Sequence, residues 1–203
     1  MRPNWRNPPS AVAIAILAVL AIGLGFLADL VITAFEKQAY PRDYADYVET
    51  YAEAYGVPET VVFAVIRSES DFDSGAVSSA GAIGLMQMMP DTFEWLTNEI
   101  LFDHLEVGML YDPETNIRYG TYLLSRYYDY YGDWELTFAA YNAGPGNLDK
   151  WLANPDYADG EGGLKEIPFK ETRRYVKRVT AARKIYERLY GDEYEKQDLP
   201  DTP

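Results

Sequence analysis

The stretch AVAIAILAVLAIGLGFLA, residues 11 to 28, carries no charge, and after Asp29 the apolar character resumes as LVITAF to Phe35. A helix built from these residues has no polar face to turn toward water, which removes it from the surface of any soluble domain. At about 1.5 Å per residue the run extends about 37 Å, enough to cross a bilayer with Asp29 near the far interface. Arg2 and Arg6 precede it, which favours a cytoplasmic N-terminus and the bulk of the chain on the extracytoplasmic side. A cleaved signal peptide is the competing reading. Its apolar region would usually be about 7 to 15 residues, and no convincing A-x-A site follows this one. The expectation is a cytoplasmic stub over 1–10 and a single-pass transmembrane anchor over 11–35, placing the protein in the cell membrane.

The remainder has the means to fold. Hydrophobic residues make up 48% of the chain and Tyr alone contributes 18 positions, which argues against disorder. With no Cys there is no disulfide framework and no thiolate metal site. His104 is the single histidine, so a zinc site or a Ser-His or Cys-His pair lacks its parts. No metal and no cofactor is expected. The formal net charge of -14 repels phosphate backbones, and no nucleic-acid partner is expected.

Residues 36–43 read as a polar tether ending near Pro41. Beyond it the pattern is helical. Tyr44, Tyr47, Val48, Tyr51 and Tyr55 recur at three- and four-residue steps up to Gly56. Pro58 and Glu59 suit a helix start, as do Asp112-Pro113, and Asp133 can cap WELTFAAYNA, which stops at Gly144-Pro145-Gly146. NPDYADGEGG, residues 154 to 163, is a loop by composition. The last helix carries Tyr175, Val179, Ala182, Tyr186 and Leu189 on one side, with Gly191 after it. No alternating strand pattern and no phosphate-cradling glycine loop is present. The expectation is one all-α domain of about six helices over 44–190, then an acidic, frayed tail over 191–203.

PETVVFAVI, residues 58 to 66, is apolar almost without a break, as befits a helix in the middle of a domain, and it runs directly into Arg67, Ser68, Glu69 and Ser70. Glu69 would then sit where the core opens. Apolar surroundings and the negative end of the helix dipole both disfavour its charged form, and a carboxyl kept neutral near working pH is what a general acid requires. A Glu at a helix end can equally be solvated or paired with Arg. Small residues follow, around Gly75, Gly81 and Gly84, and then Leu85, Met86, Met88 and Met89 with Gln87 among them. Met at this density is more often packing than function, and an amide in an apolar run is either a satisfied core residue or an orienting group in a cleft.

ESDFDSGAVSSAGAIGLMQMMP, residues 69 to 90, resembles the signature of the soluble-lytic-transglycosylase catalytic domain, a goose-lysozyme-like family. AYNAGPG at 140–146 and IPFKETRRYVKRV at 167–179 resemble two further blocks of that family in the right order, and DPETNIRYG at 112–120 resembles the start of its middle helix. The resemblance implies a lysozyme-like catalytic domain that binds peptidoglycan glycan strands. It would cleave the bond between N-acetylmuramic acid and N-acetylglucosamine through attack by the muramic C6 hydroxyl, leaving a 1,6-anhydro end. It implies Glu69 as the single catalytic acid, and Ser78, Gln87, Met89, Tyr141, Asn142 and Tyr175 as substrate-binding positions, each of which would otherwise be a packed or capping residue. Ala80 stands where some relatives carry a second Ser. Asp71 and Asp73 are expected to be solvated loop residues, and Glu171 a helix-start residue. A hydrolytic lysozyme on the same fold and a non-catalytic wall-binding domain remain the alternatives.

Overall fold

A computed structural model describes residues 11 to 197, with side chains described as far as Gly191. The expected stub and the last residues of the expected tail lie outside the described residues. The chain divides into two compact units, Met1–Pro41 and Arg42–Pro203. The first contains α1, Ala11–Ala39, none of whose residues is buried; it is long and apolar enough to cross a membrane. It continues past Phe35 through Glu36 and Lys37, both good helix formers, and ends ahead of Pro41, which disfavours helical backbone in the residue before it. Half of the expected tether, residues 36–39, is thus helical, and the irregular link is shorter than the composition implied.

The second unit is built from α2 (Ala45–Tyr55), α3 (Glu59–Glu69), α4 (Pro90–Trp95), α5 (Pro113–Tyr131), α6 (Trp134–Ala143), α7 (Pro145–Leu152) and α8 (Lys170–Gln197). A π-helical turn, Leu96–Ile100, and a 3-10 turn, Val107–Tyr111, link α4 to α5. Among the described residues there is no strand, only isolated bridges between Val77 and Ile83, Ile83 and Met88, and Ala158 and Leu164. The expected punctuation acts as read. Gly56 closes α2 in the left-handed region at φ 65°, Asp112 accepts from the Thr115 N–H at 2.9 Å to open α5, and Asp133 accepts from the Leu136 N–H at 2.9 Å to open α6. Gly191 does not stop the last helix, which runs on to Gln197; the helix-forming Glu and Lys that follow offset its cost of about 1 kcal/mol.

α3 is the central element. Every residue from Thr60 to Ile66 is buried, with Val61 through Ile66 at 0% exposure, and α8 packs along it with Tyr186 stacked on Phe63 at 5.5 Å. A second cluster, around Ile83, Met88, Phe93, Leu96, Leu110, Tyr119 and Leu123, fills the space between α4 and α5. Phe93 meets Tyr119 edge-on at 4.6 Å.

Between these regions runs the segment 70–89, which has no repeating hydrogen-bond ladder. Buried backbone must still be satisfied, and here side chains do much of it. Asn116, fully buried on α5, accepts from the Met86 N–H at 2.8 Å and donates to the Ile83 carbonyl at 2.9 Å and the Leu110 carbonyl at 2.8 Å. Ser70 donates to the Leu85 carbonyl at 2.8 Å and Tyr141 to the Met86 carbonyl at 2.8 Å. Gln87, itself at φ 50°, donates to the carbonyls of Ala76 and Gly84 at 3.1 and 2.9 Å. Gly84 has φ 80°, and a Cβ there would collide with the Asn116 amide and the Leu110 carbonyl.

Asn116→Ala removes three buried hydrogen bonds at once. We expect a stability loss of about 2–4 kcal/mol, read as a lower urea midpoint with an unchanged slope. Gly84→Ala, opposed by both backbone and space, is expected to lose about as much.

Candidate active site

Glu69 is the last residue of α3, and the geometry of its surroundings follows from how that helix ends. Ser70 both continues the helix, its N–H donating to the Ile66 carbonyl at 3.0 Å, and reaches across to Leu85 through its hydroxyl. The Glu-Ser pair is thereby pinned to the Gly-Leu-Met-Gln turn fifteen residues on. Arg178 on α8 donates to the Ser68 carbonyl at 3.3 Å and lies over the Tyr175 ring at 5.5 Å, closing the other side.

Burial pushes the Glu69 carboxyl from 4.5 up to about 7. The Tyr175 hydroxyl and then the Arg178 guanidinium pull it back, while the Glu171 carboxylate raises it further. Tyr175 is 2% exposed, and its hydroxyl has no hydrogen-bond partner of ordinary geometry among the described residues; it nonetheless lies near enough to favour the charged carboxyl. Tyr175 and Tyr141 are themselves held well above 10, by burial first and by the Glu69 charge second, so both keep their protons. The result is one carboxyl near half-protonation at neutral pH, faced by two neutral phenols. Asp71 is paired with Arg67 and largely solvated, and Asp73 accepts from the Gly75 N–H at 2.9 Å in the exposed loop; neither bears on Glu69.

Two cavities meet at Asn142 and Ala143. One, of about 280 Å³, is lined by Gln87, Met88, Met89, Tyr127 and Tyr141 among others. The second, of about 520 Å³, is lined by Pro168, Phe169, Lys170, Glu171 and Thr172 on its far side. Glu69 lines neither, but its charge acts on Tyr141, which lines one, and it is acted on by Glu171, which lines the other, so it lies close to both.

The structure therefore brings Gln87, Met89, Tyr141 and Asn142 to one groove and Tyr175 to Glu69 close to it. Ser78 is engaged differently: its hydroxyl accepts from the Ala82 N–H at 3.0 Å and holds a tight turn, and it lines neither cavity. Leu85 and Met86 are fully buried core, because the turn rolls inward onto Asn116 and Gly120. Sequence reasoning missed four participants. Arg178 stands three residues after Tyr175 on one helix face, a spacing that could have revealed it. Asn116 is a polar residue within the buried face of α5. Tyr127, on the same helix, lines the smaller cavity, and Glu171 was taken for a helix-start residue alone. Among the described residues no group of acidic, His or Cys side chains could hold a metal ion, and His104 is exposed beside Asn98.

An all-α, lysozyme-like domain with a single elevated carboxyl close to a two-part groove is the class defined by fold and site. The chain belongs to the Transglycosylase SLT domain family, whose profile matches residues 46–161, more than half its length. It is 36% identical over 159 residues to the soluble lytic murein transglycosylase of Escherichia coli strain K12, covering 77% of this chain and 25% of that protein. The crystal structure of the 70 kDa soluble lytic transglycosylase from Escherichia coli superposes with a TM-score of 0.70 at 36% identity, over 77% of this chain and 26% of that one. Membrane-bound lytic murein transglycosylase C of Edwardsiella ictaluri is 32% identical over 182 residues, 79% of this chain and 50% of that protein. The chain thus spans about a quarter to a half of the length of these relatives.

A carboxyl titration followed by NMR should place the Glu69 midpoint near pH 7. Arg178→Met should move it upward, because a cation that favours the charged form is gone. A folded pKa above the unfolded value means that folding loses stability as pH rises from about 4.5 to 7. Glu69→Gln should therefore gain stability on the parent across that window, by about 1–3 kcal/mol above it.

Proposed function

We propose that this protein is a membrane-anchored peptidoglycan lytic transglycosylase that cleaves the β-1,4 bond between N-acetylmuramic acid and N-acetylglucosamine and forms 1,6-anhydro-N-acetylmuramic acid. The observation that carries the reading is the Glu69 carboxyl, raised to about 7 close to two cavities that share Asn142 and Ala143. The protonated carboxyl gives its proton to the leaving glycosidic oxygen as the bond to the anomeric carbon breaks. The resulting carboxylate accepts the proton of the muramic C6 hydroxyl as that oxygen bonds to the same carbon. Because the nucleophile belongs to the substrate, effective molarity replaces a second carboxylate. Tyr175, neutral and close to the carboxyl, steadies its charged form between the two transfers together with Arg178, while Tyr141, its hydroxyl donated to the Met86 carbonyl, walls the site. Gln87, Met89 and Asn142 would line the sugar sites; Ser78 would act through the shape of its turn.

In this reading α1 is a single-pass anchor, residues 44–190 the catalytic domain, and the domain lies on the extracytoplasmic side where the wall is. Support comes from the length and apolar character of α1, from Arg2 and Arg6 ahead of it, and from similarity to a relative named as membrane-bound. Tethering would hold the groove near its substrate and let effective concentration stand in for affinity. Hydrolysis on the same scaffold is favoured by one observation: Glu171, exposed on the groove rim, is the other carboxylate that acts on Glu69, and a hydrolase needs such a group to activate water.

The full chain in detergent micelles, given purified peptidoglycan, should release muropeptides ending in 1,6-anhydro-muramic acid by mass spectrometry. Glu69→Gln should lower the yield by about 100-fold or more, while Glu171→Gln leaves the products anhydro. Reducing ends in place of anhydro ends, lost with Glu171, would identify a hydrolase. Sedimentation with the wall and no products would identify a binding module.

A further inference from the structure

One face of α5 leaves the groove and continues outward as a row of aromatic rings. Leu123 and Tyr127, four residues apart, line the 280 Å³ cavity. One turn on, the Tyr131 ring lies 6.5 Å from that of Tyr127, and the Tyr130 ring stands edge-on to Tyr131 at 4.8 Å. The step between turns of a helix, about 5.4 Å, is comparable with the reach of one sugar ring. Tyr131 is tied down at its far end: its hydroxyl donates to Asp149 at 2.9 Å and meets the carbonyl of Pro145, itself a cavity-lining residue, at 3.4 Å. The row therefore borders the cavity mouth, and its middle member is fixed in orientation. Tyr130 is 74% exposed, far more than a packing role requires.

Beyond its edge contact with Tyr131, most of the Tyr130 ring faces solvent and fills no core. Sugars of the N-acetylglucosamine type carry apolar faces of C–H groups that lie flat on aromatic rings, and Tyr offers such a face with little loss of side-chain freedom. We propose that Tyr127, Tyr131 and Tyr130 form an outer track that binds a β-1,4-linked N-acetylamino sugar strand beyond the sugars held in the cavity. This rests on the glycan-cleaving reading of the groove and extends it. The track gives preference for long strands over short fragments, because only a strand that reaches past the cavity touches Tyr130.

The test uses the full chain in micelles carrying Glu69→Gln, titrated calorimetrically with N-acetylglucosamine oligosaccharides from trimer to hexamer. Affinity should rise with length, and Tyr130→Ala should cut the hexamer affinity about five- to tenfold while the trimer affinity stays within about twofold. Tyr130→Phe, which keeps the ring, should retain the length dependence. Affinity independent of length in the parent, or a loss in Tyr130→Ala that is equal for every length, would overturn the track. A parent Glu69 enzyme that releases anhydro products from peptidoglycan but shows no length dependence sinks the track alone. A parent that releases no such products sinks the functional reading and the track with it.

Discussion

The fold depends on a buried loop that has no partner strand and borrows its hydrogen bonds from side chains. The turn from Ile83 to Met88 has some ladder contacts of its own, but Asn116, Ser70, Tyr141 and Gln87 supply the rest. These donors and acceptors come from the cap that follows α3, from α5 and α6, and from the turn itself. The loop is therefore the point where three helices are brought into register, and the groove inherits its shape from it. Gly84 belongs to the same constraint, since the Asn116 amide occupies the place of a side chain there.

The acid follows from this arrangement. α3 is apolar on every side because it lies between α8 and the rest of the unit, so its last turn must emerge where packing gives out. Fixing Ser70 to Leu85 decides where that is, and Glu69 arrives beside Tyr141 and Tyr175 with most of its water removed. Arg178 and Glu171, both from α8, then act on it with opposite sign. A helix with one apolar stripe would have delivered the same residue to solvent.

Much of this was legible in the chain. Caps and stops at Gly56, Asp112, Asp133 and Gly144 are local chemistry, and they act where the residues stand. The pressure on Glu69 could be read from two facts of sequence, an all-apolar helix and a helix C-terminus. The short elements could not be read: α4, α7 and the two turns between α4 and α5 offer too few residues for a period to show. The inward roll of Leu85 and Met86 was also hidden, since it is set by Asn116 thirty residues away in the case of Met86. Ser78 is a sugar contact by resemblance, and the sequence gives no sign that its hydroxyl also accepts from the Ala82 N–H, which leaves only its donor side for a ligand. Gly191 shows the converse, a stop signal overruled by good helix formers after it.

The placement of one carboxyl, with no other acid deep in the site, has a consequence for the proton inventory of the proposed reaction. The proton that leaves Glu69 for the glycosidic oxygen is replaced by the one taken from the C6 hydroxyl. The protein ends the turnover in the protonation state in which it began, and the solvent neither supplies nor collects anything. A midpoint near 7 suits this closed exchange, since the group gives up a proton and recovers one with similar ease. Bulk pH then decides only how many molecules start in the acid form, and not how the cycle returns to its beginning.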